Sequence, residues 1–160
     1  MVLGLFRPKS VSPRLERLRS LFLFVDLTPA ELAIVDGLLH ERDYLADEVI
    51  FDEGEDGQAI YIVLEGKVAI RRVEDGVPTV LAEMDGGAVF GDVALLDNAP
   101  RSAQARATSN CQLAVFFRED FMGLLDTHAR IASKISMQIA RTLANRLRAA
   151  RLAPQTHQYL

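Results

Sequence analysis

At 160 residues, with 49% hydrophobic and 25% charged residues, the chain is long enough to bury one full core without metal or disulfide support. Its single cysteine excludes an internal disulfide, the lack of any CxxC or Cys/His cluster excludes a structural zinc site, and no apolar run reaches membrane-spanning length, so a reducing, cytoplasmic setting is expected. The net charge of −4 hides an uneven distribution: residues 1–20 carry five basic groups and one acidic, residues 130–160 carry six basic and none acidic, and the stretch between holds seven basic and 21 acidic.

In chain order, residues 1–20 form a basic N-terminal arm, residues 21–152 a single domain, and residues 153–160 a patternless tail. The basic ends are read as a counterweight to the acidic body rather than as a surface for nucleic acid or anionic lipid. Residues 13–40 read as helical. Thr28-Pro29-Ala30-Glu31 combines an N-cap threonine, a proline at the first helical position and a glutamate three residues after the cap. That capping box opens a helix expected to run through Leu39.

The texture then changes to short apolar runs, EVIF, AIYIVL, KVAIRRV, TVLAEM, AVF, AQARAT and QLAVFF, separated by turns such as GEDG, EDG and DGG. Strands of this length and spacing predict an antiparallel β-roll or jelly roll over about 44–117. Ala103, Ala105 and Ala107 alternate with Gln104, Arg106 and Thr108, the period of a strand with one buried face. A short helix is expected over Arg118–Asp126 and a long one over Ala129–Leu152, stopped by Pro154. The fold class is therefore mainly β with flanking α, an α+β arrangement with N-terminal helices and a long C-terminal helix. In that last helix Ile131, Ile135, Ile139, Leu143 and Leu147 recur every four residues, with Arg130, Lys134, Arg141 and Arg148 opposite. The apolar stripe suits either a lid over a ligand or the seam of a homodimer through 129–152.

Enzymatic chemistry finds few residues to carry it. A jelly-roll metal enzyme needs histidines and carboxylates converging on one strand face, whereas His40, His128 and His157 fall near helix ends and in the tail. No GxSxG is present, and no histidine stands where it would activate Cys111 or a serine. Cys111 is expected to be a packed small residue. The chain is read as a non-enzyme that needs no cofactor.

The stretch FGDVALLDNAPRSAQARA, Phe90 to Ala107, is different. Gly91 permits close backbone approach, and Asp92–Leu96 is long enough for one helical turn, whose free N–H groups favour an anion. Arg101 adds a permanent charge that forks to two oxygens of one phosphate, and Pro100 fixes the backbone before it. Asp92 supplies an acceptor suited to a sugar hydroxyl. An anion clamp beside a hydroxyl acceptor describes a nucleotide site; the plainer alternative is that Arg101 forms a salt bridge to a carboxylate of the acidic body.

On these residues the chain resembles the cyclic nucleotide-binding domain family, whose phosphate-binding cassette reads approximately FGE, then A-L, then PR-[small]-A, against FGDVALLDNAPRSA here. The resemblance extends to LFLFVDLTPAEL and to EVIFDEGEDGQAIYIVLEGKVAI, with Gly54, Gly57 and Gly66 at the tight turns, and covers about residues 20–150. It implies a catabolite-activator-like β-roll with a cyclic nucleotide as ligand. Arg101 and Ser102 would hold the cyclic phosphate, and Asp92 would accept from the ribose 2′-OH. Phe90, Gly91, Val93, Ala94, Leu95, Pro100 and Ala103 would complete the cassette around them. Serine at 102 leans toward cAMP over cGMP.

Three departures qualify the match. Asp92 stands where the family has glutamate, and the missing methylene shortens its reach by somewhat over 1 Å. A lost hydrogen bond to a charged group costs roughly 1.5–3 kcal/mol. Arg146 and Leu147 fall where catabolite-activator-like members have a Thr-Ser pair that touches adenine. Arg146 is expected either to stack on a purine under a Leu147 lid or to snorkel at a dimer seam. Finally, no helix-turn-helix domain follows, so direct DNA binding is not expected and the output goes to an unknown protein partner. The competing reading is a degenerate member that binds no nucleotide and acts as a dimerisation or interaction module.

Overall fold

The computed structural model describes residues 12–152. The first eleven residues, which hold part of the basic arm, and the 153–160 tail lie outside the described residues. Eight strands form two four-stranded antiparallel sheets, with helices at both ends of the chain. In chain order the strands are β1 (His40–Tyr44), β2 (Val49–Phe51), β3 (Ala59–Glu65), β4 (Val68–Glu74), β5 (Val77–Met84), β6 (Val89–Phe90), β7 (Gln104–Ala107) and β8 (Cys111–Phe117). One sheet has the order β1-β8-β3-β6 and the other β2-β7-β4-β5. The expected β-roll is present.

Side-chain period explains which strands were legible. The first sheet is covered on both faces: Ile60, Ile62, Ala114 and Phe116 pack against the helices, while Val63, Cys111 and Leu113 meet Phe51, Val68, Ala105 and Ala107 of the second sheet. AIYIVL and QLAVFF are therefore unbroken apolar runs. The second sheet turns one face to solvent, and β7 alternates buried Ala105 and Ala107 with Gln104 and Arg106 as expected. The roll begins earlier than expected because β1, sequence HERDY, is an edge strand with four exposed residues. It joins through its backbone ladder to β8, from His40↔Val115 to Tyr44↔Cys111. Charged side chains on such an edge discourage pairing with other chains, and they also erase the apolar alternation. Cys111 is buried, and burial pushes its thiol up from the ordinary value.

The helical reading of 13–40 is narrowed to two short helices, α1 (Pro13–Arg19) and α2 (Pro29–Asp36), the second starting where the capping box opens it. Between them, successive backbone bonds from Leu21, Phe24 and Leu27 reach only three residues back, and these turns drive Leu21, Leu23, Phe24 and Leu27 into the core. Leu18 of α1, inside the segment assigned to the basic arm, is also fully buried. The capping box of α2 is formed: the Thr28 hydroxyl accepts from the Glu31 N–H and the Glu31 carboxylate from the Thr28 N–H. The helix stops at Asp36, with Gly37 as its cap, rather than at Leu39.

After β8 come α3 (Arg118–Thr127) and α4 (Ala129–Leu152). The four-residue stripe of α4 does not stay on one face, because each step of four runs about 40° past a full turn. Ile131, Ile135 and Ile139 are buried, Leu143 packs partly against them, and Leu147 is 55% exposed. The polar side of α4 is tied to α2 and to the turns before it: Lys134 Nζ lies 2.6 Å from Glu31 and Arg141 Nη1 3.4 Å from Asp26, which also accepts from Gln138.

Candidate functional site

A cavity of about 530 Å³ lies beneath the segment from Phe90 to Ala103, within the range of about 300–1,000 Å³ that suits small ligands. Its far wall comes from Phe51 of β2, Ile70 of β4 and Met84 of β5, and Arg146 of α4 reaches its rim. Ten of the eleven residues expected at the site line this cavity. The exception is Leu95, only 1% exposed, which points into the core shared with the helices. It sits in a 3₁₀ turn over Asp92–Leu95, and one turn has an inner side that belongs to the core.

The chain segment is held from both directions. Gly91 caps the turn at φ +72°, the left-handed region that favours glycine. A Cβ built there would stand 2.5 Å from Nη1 of Arg101, so glycine makes room for the guanidinium itself. The backbone of Arg101 is clamped to the GEDG turn: its N–H donates to Glu55 O at 2.7 Å, and Gly54 N–H donates to Arg101 O at 2.8 Å. Pro100 pairs with Asp56 in the same bridge. Arg72 Nε donates to Ser102 O at 3.1 Å, and Ser102 is exposed at the cavity while Arg101 and Ala103 turn inward.

The Arg101 guanidinium is 9% exposed and has no carboxylate partner, so the salt-bridge alternative does not hold among the described residues. Nη2 donates to Ala59 O at 2.6 Å, and the group lies over the Phe51 ring, 4.1 Å from its centroid, with Tyr61 at 5.7 Å. Nε is buried without a partner. Burial pushes its pKa down from the usual arginine value, partly offset by Tyr61 and Glu55, and an arginine keeps its charge through such a shift. A desolvated cation with an unmet donor, facing a cavity, favours an anion. Tyr61 and Phe90 stack 5.3 Å apart behind Phe51 and fix the aromatic wall.

Asp92 and Arg146, the two residues that depart from the family pattern, are brought together. Arg146 Nη1 lies 3.1 Å from Asp92 Oδ1, with the aspartate side chain 4% exposed and the arginine 53%. Asp92 Oδ2 is enclosed without a partner. Arg146 thus lines the pocket, whereas Leu147 lies outside the lining. Sequence reasoning missed Phe51, Ile70, Met84 and Asp97. The first three carry the same apolar alternation as any strand residue facing the space between the sheets, so nothing in the sequence separates lining from core.

A family model described as the cyclic nucleotide-binding domain matches residues 41–128. The cyclic AMP receptor protein of Thermus thermophilus is 37% identical over 131 residues, spanning 81% of this chain and 59% of that protein. A cAMP-dependent protein kinase regulatory subunit of Mycosarcoma maydis is 32% identical over 120 residues, spanning 68% of this chain and 23% of that protein. The solved structure of the Thermus thermophilus catabolite activator protein superposes with a TM-score of 0.74 at 36% identity, covering 82% of this chain and 60% of that one. The chain therefore spans less than two thirds of the length of each of these relatives.

Proposed function

Because this chain belongs to the cyclic nucleotide-binding domain family, we propose that it is a receptor for a cyclic nucleotide, with cAMP favoured over cGMP, that signals to a protein partner. The observation that carries this reading is Arg101: a buried cation, without an ion pair among the described residues, held at the cavity by Ala59 O and the Phe51 ring. A cyclic phosphate carries one negative charge and two free oxygens, which matches one forked guanidinium. Gly91 and the 3₁₀ turn bring backbone N–H groups to the same place, and exposed Ser102 adds a hydroxyl. The cAMP preference rests on Ser102 and on the two curated relatives, both named for cAMP.

Signalling follows from what the ligand would touch. The cassette carries Asp92, and Asp92 is bonded to α4, so a ligand that displaces the 91–102 segment changes how that helix is held. The outward face of α4 offers a second output. Met137, Ala140, Ala144 and Leu147 are all exposed and recur at alternating spacings of three and four, the pattern of a two-helix seam. A homodimer through this stripe leaves Ile131, Ile135 and Ile139 in the core, and so separates the two uses that one stripe was expected to serve.

Titration calorimetry with cAMP and cGMP tests the receptor. Saturable heat is expected, tighter with cAMP, and Arg101→Ala should weaken it about a hundredfold or more, since hydrogen bonds to charged groups contribute about 1.5–3 kcal/mol each. Absence of both heat and thermal shift at millimolar ligand would leave the second reading, a non-binding dimerisation or interaction module. That reading is favoured by one observation, the covering of the Asp92 carboxylate by Arg146.

A further inference from the structure

α4 is attached in two different ways along its length. From Ile131 to Ile139 it is anchored by buried Ile131, Ala132, Ile135 and Ile139, together with the Lys134–Glu31 pair. From Ala140 to Leu152, about 20 Å of helix, no residue is buried, and only Leu143 packs partly against the core. Among the described residues, the polar ties from this distal half to the rest of the chain are Arg141 to Asp26 and Arg146 to Asp92. The second is the one that meets the cavity. One Asp92 oxygen is held by Arg146 and the other is enclosed without a partner, so a hydrogen-bond donor entering the cavity meets this carboxylate in competition with Arg146 for Oδ1.

We propose that the Asp92–Arg146 pair is a latch: it holds the distal half of α4 against the cassette and occupies the carboxylate that a ribose hydroxyl would need. This inference rests on the nucleotide reading of the cavity for its second half only. Engagement of a 2′-hydroxyl by Asp92 requires the carboxylate to turn or Arg146 to leave, so recognition of the ribose and release of α4 are the same event. A ligand without that hydroxyl occupies the phosphate clamp at Arg101 and leaves the latch closed. Arg146 is in this sense a specificity-determining residue that acts by competition rather than by touching the ligand. The charge pairing also gives a reason for the shortened side chain at 92, since aspartate keeps its carboxylate close to the backbone of the turn and under the arginine.

Two measurements on the full chain test the latch separately from the ligand. In hydrogen exchange without nucleotide, Arg146→Ala should accelerate exchange over residues 141–152 and leave 131–139 unchanged. Arginine and alanine have nearly equal helix propensity, so the change reports undocking. Asp92→Asn should do the same from the other partner. Unchanged exchange over 141–152 in both variants overturns the latch. In calorimetry, Arg146→Ala should raise affinity for cAMP by up to about fivefold, the upper end expected for an ion pair with one exposed partner. Affinity for 2′-deoxy-cAMP should stay the same. Equal shifts for both nucleotides, or a selective loss for cAMP, overturn the competition with ribose. If the wild-type chain binds neither nucleotide, the receptor reading falls and the competition with it, while the exchange result still decides whether the pair holds α4.

Discussion

Gly91 sits under two conditions that only glycine can meet together: a left-handed backbone at φ +72° and a side-chain position already filled by the Arg101 guanidinium, 2.5 Å away. Gly91→Ala should therefore cost about 1–2 kcal/mol of stability from the backbone alone. It should also push Arg101 off the Phe51 ring, lowering cAMP affinity more than tenfold; melting temperature and calorimetry read the two effects. At this scale much of the site was legible, since Gly91, Asp92, Pro100 and Arg101 each have a chemistry that their residue type announces. Pairing was not. Asp92 and Arg146 stand 54 positions apart, and each looked like an independent loss of a family contact. Only their approach to 3.1 Å turns two departures into one interaction. Leu95 failed for the opposite reason, because neighbours on a single turn face opposite ways.

Glu31 shows an element acting through its end. It closes the capping box of α2 and also receives Lys134 from α4 at 2.6 Å, with Arg130 at 3.9 Å. The Lys134 hydrogen bond, then the Thr28 N–H, hold its carboxyl below the ordinary glutamate value of 4.5. A folded-state value below the unfolded one means that the stabilisation is fully present above about 4.5 and is lost as pH falls through the lowered value. The difference in urea midpoint between wild type and Glu31→Gln should thus be largest near neutral pH and shrink below pH 4; a difference that is flat with pH argues against the pair. The capping box was readable because it is local. The early end of α1 at Arg19 was not, since the apolar residues from Leu21 to Leu27 suit a helix equally well until the core demands them on several sides.

For the whole molecule, the two buried faces of the first sheet set the architecture: helices cover one and the second sheet covers the other. The remaining apolar stripe, Met137–Leu147 on α4, then faces away from the body. Ala144→Asp, exposed and remote from the cavity lining, should convert a dimer to monomer in sedimentation equilibrium without changing the melting temperature of the domain; a wild-type chain that is monomeric at high micromolar concentration overturns the seam. The sequence by itself determined the β-roll, the long terminal helix, the segment that lines the cavity and the family, because strand period, turn residues and cassette spacing are all encoded over short distances. Tertiary structure alone decided which face of α4 meets the core, which cassette residue leaves the pocket, and that Arg146 closes on Asp92. The first and last depend on how the 24-residue helix docks on the roll, which is set by packing of Ile131, Ile135 and Ile139 against residues distant in the chain, and the second on which side of a single 3₁₀ turn meets the core.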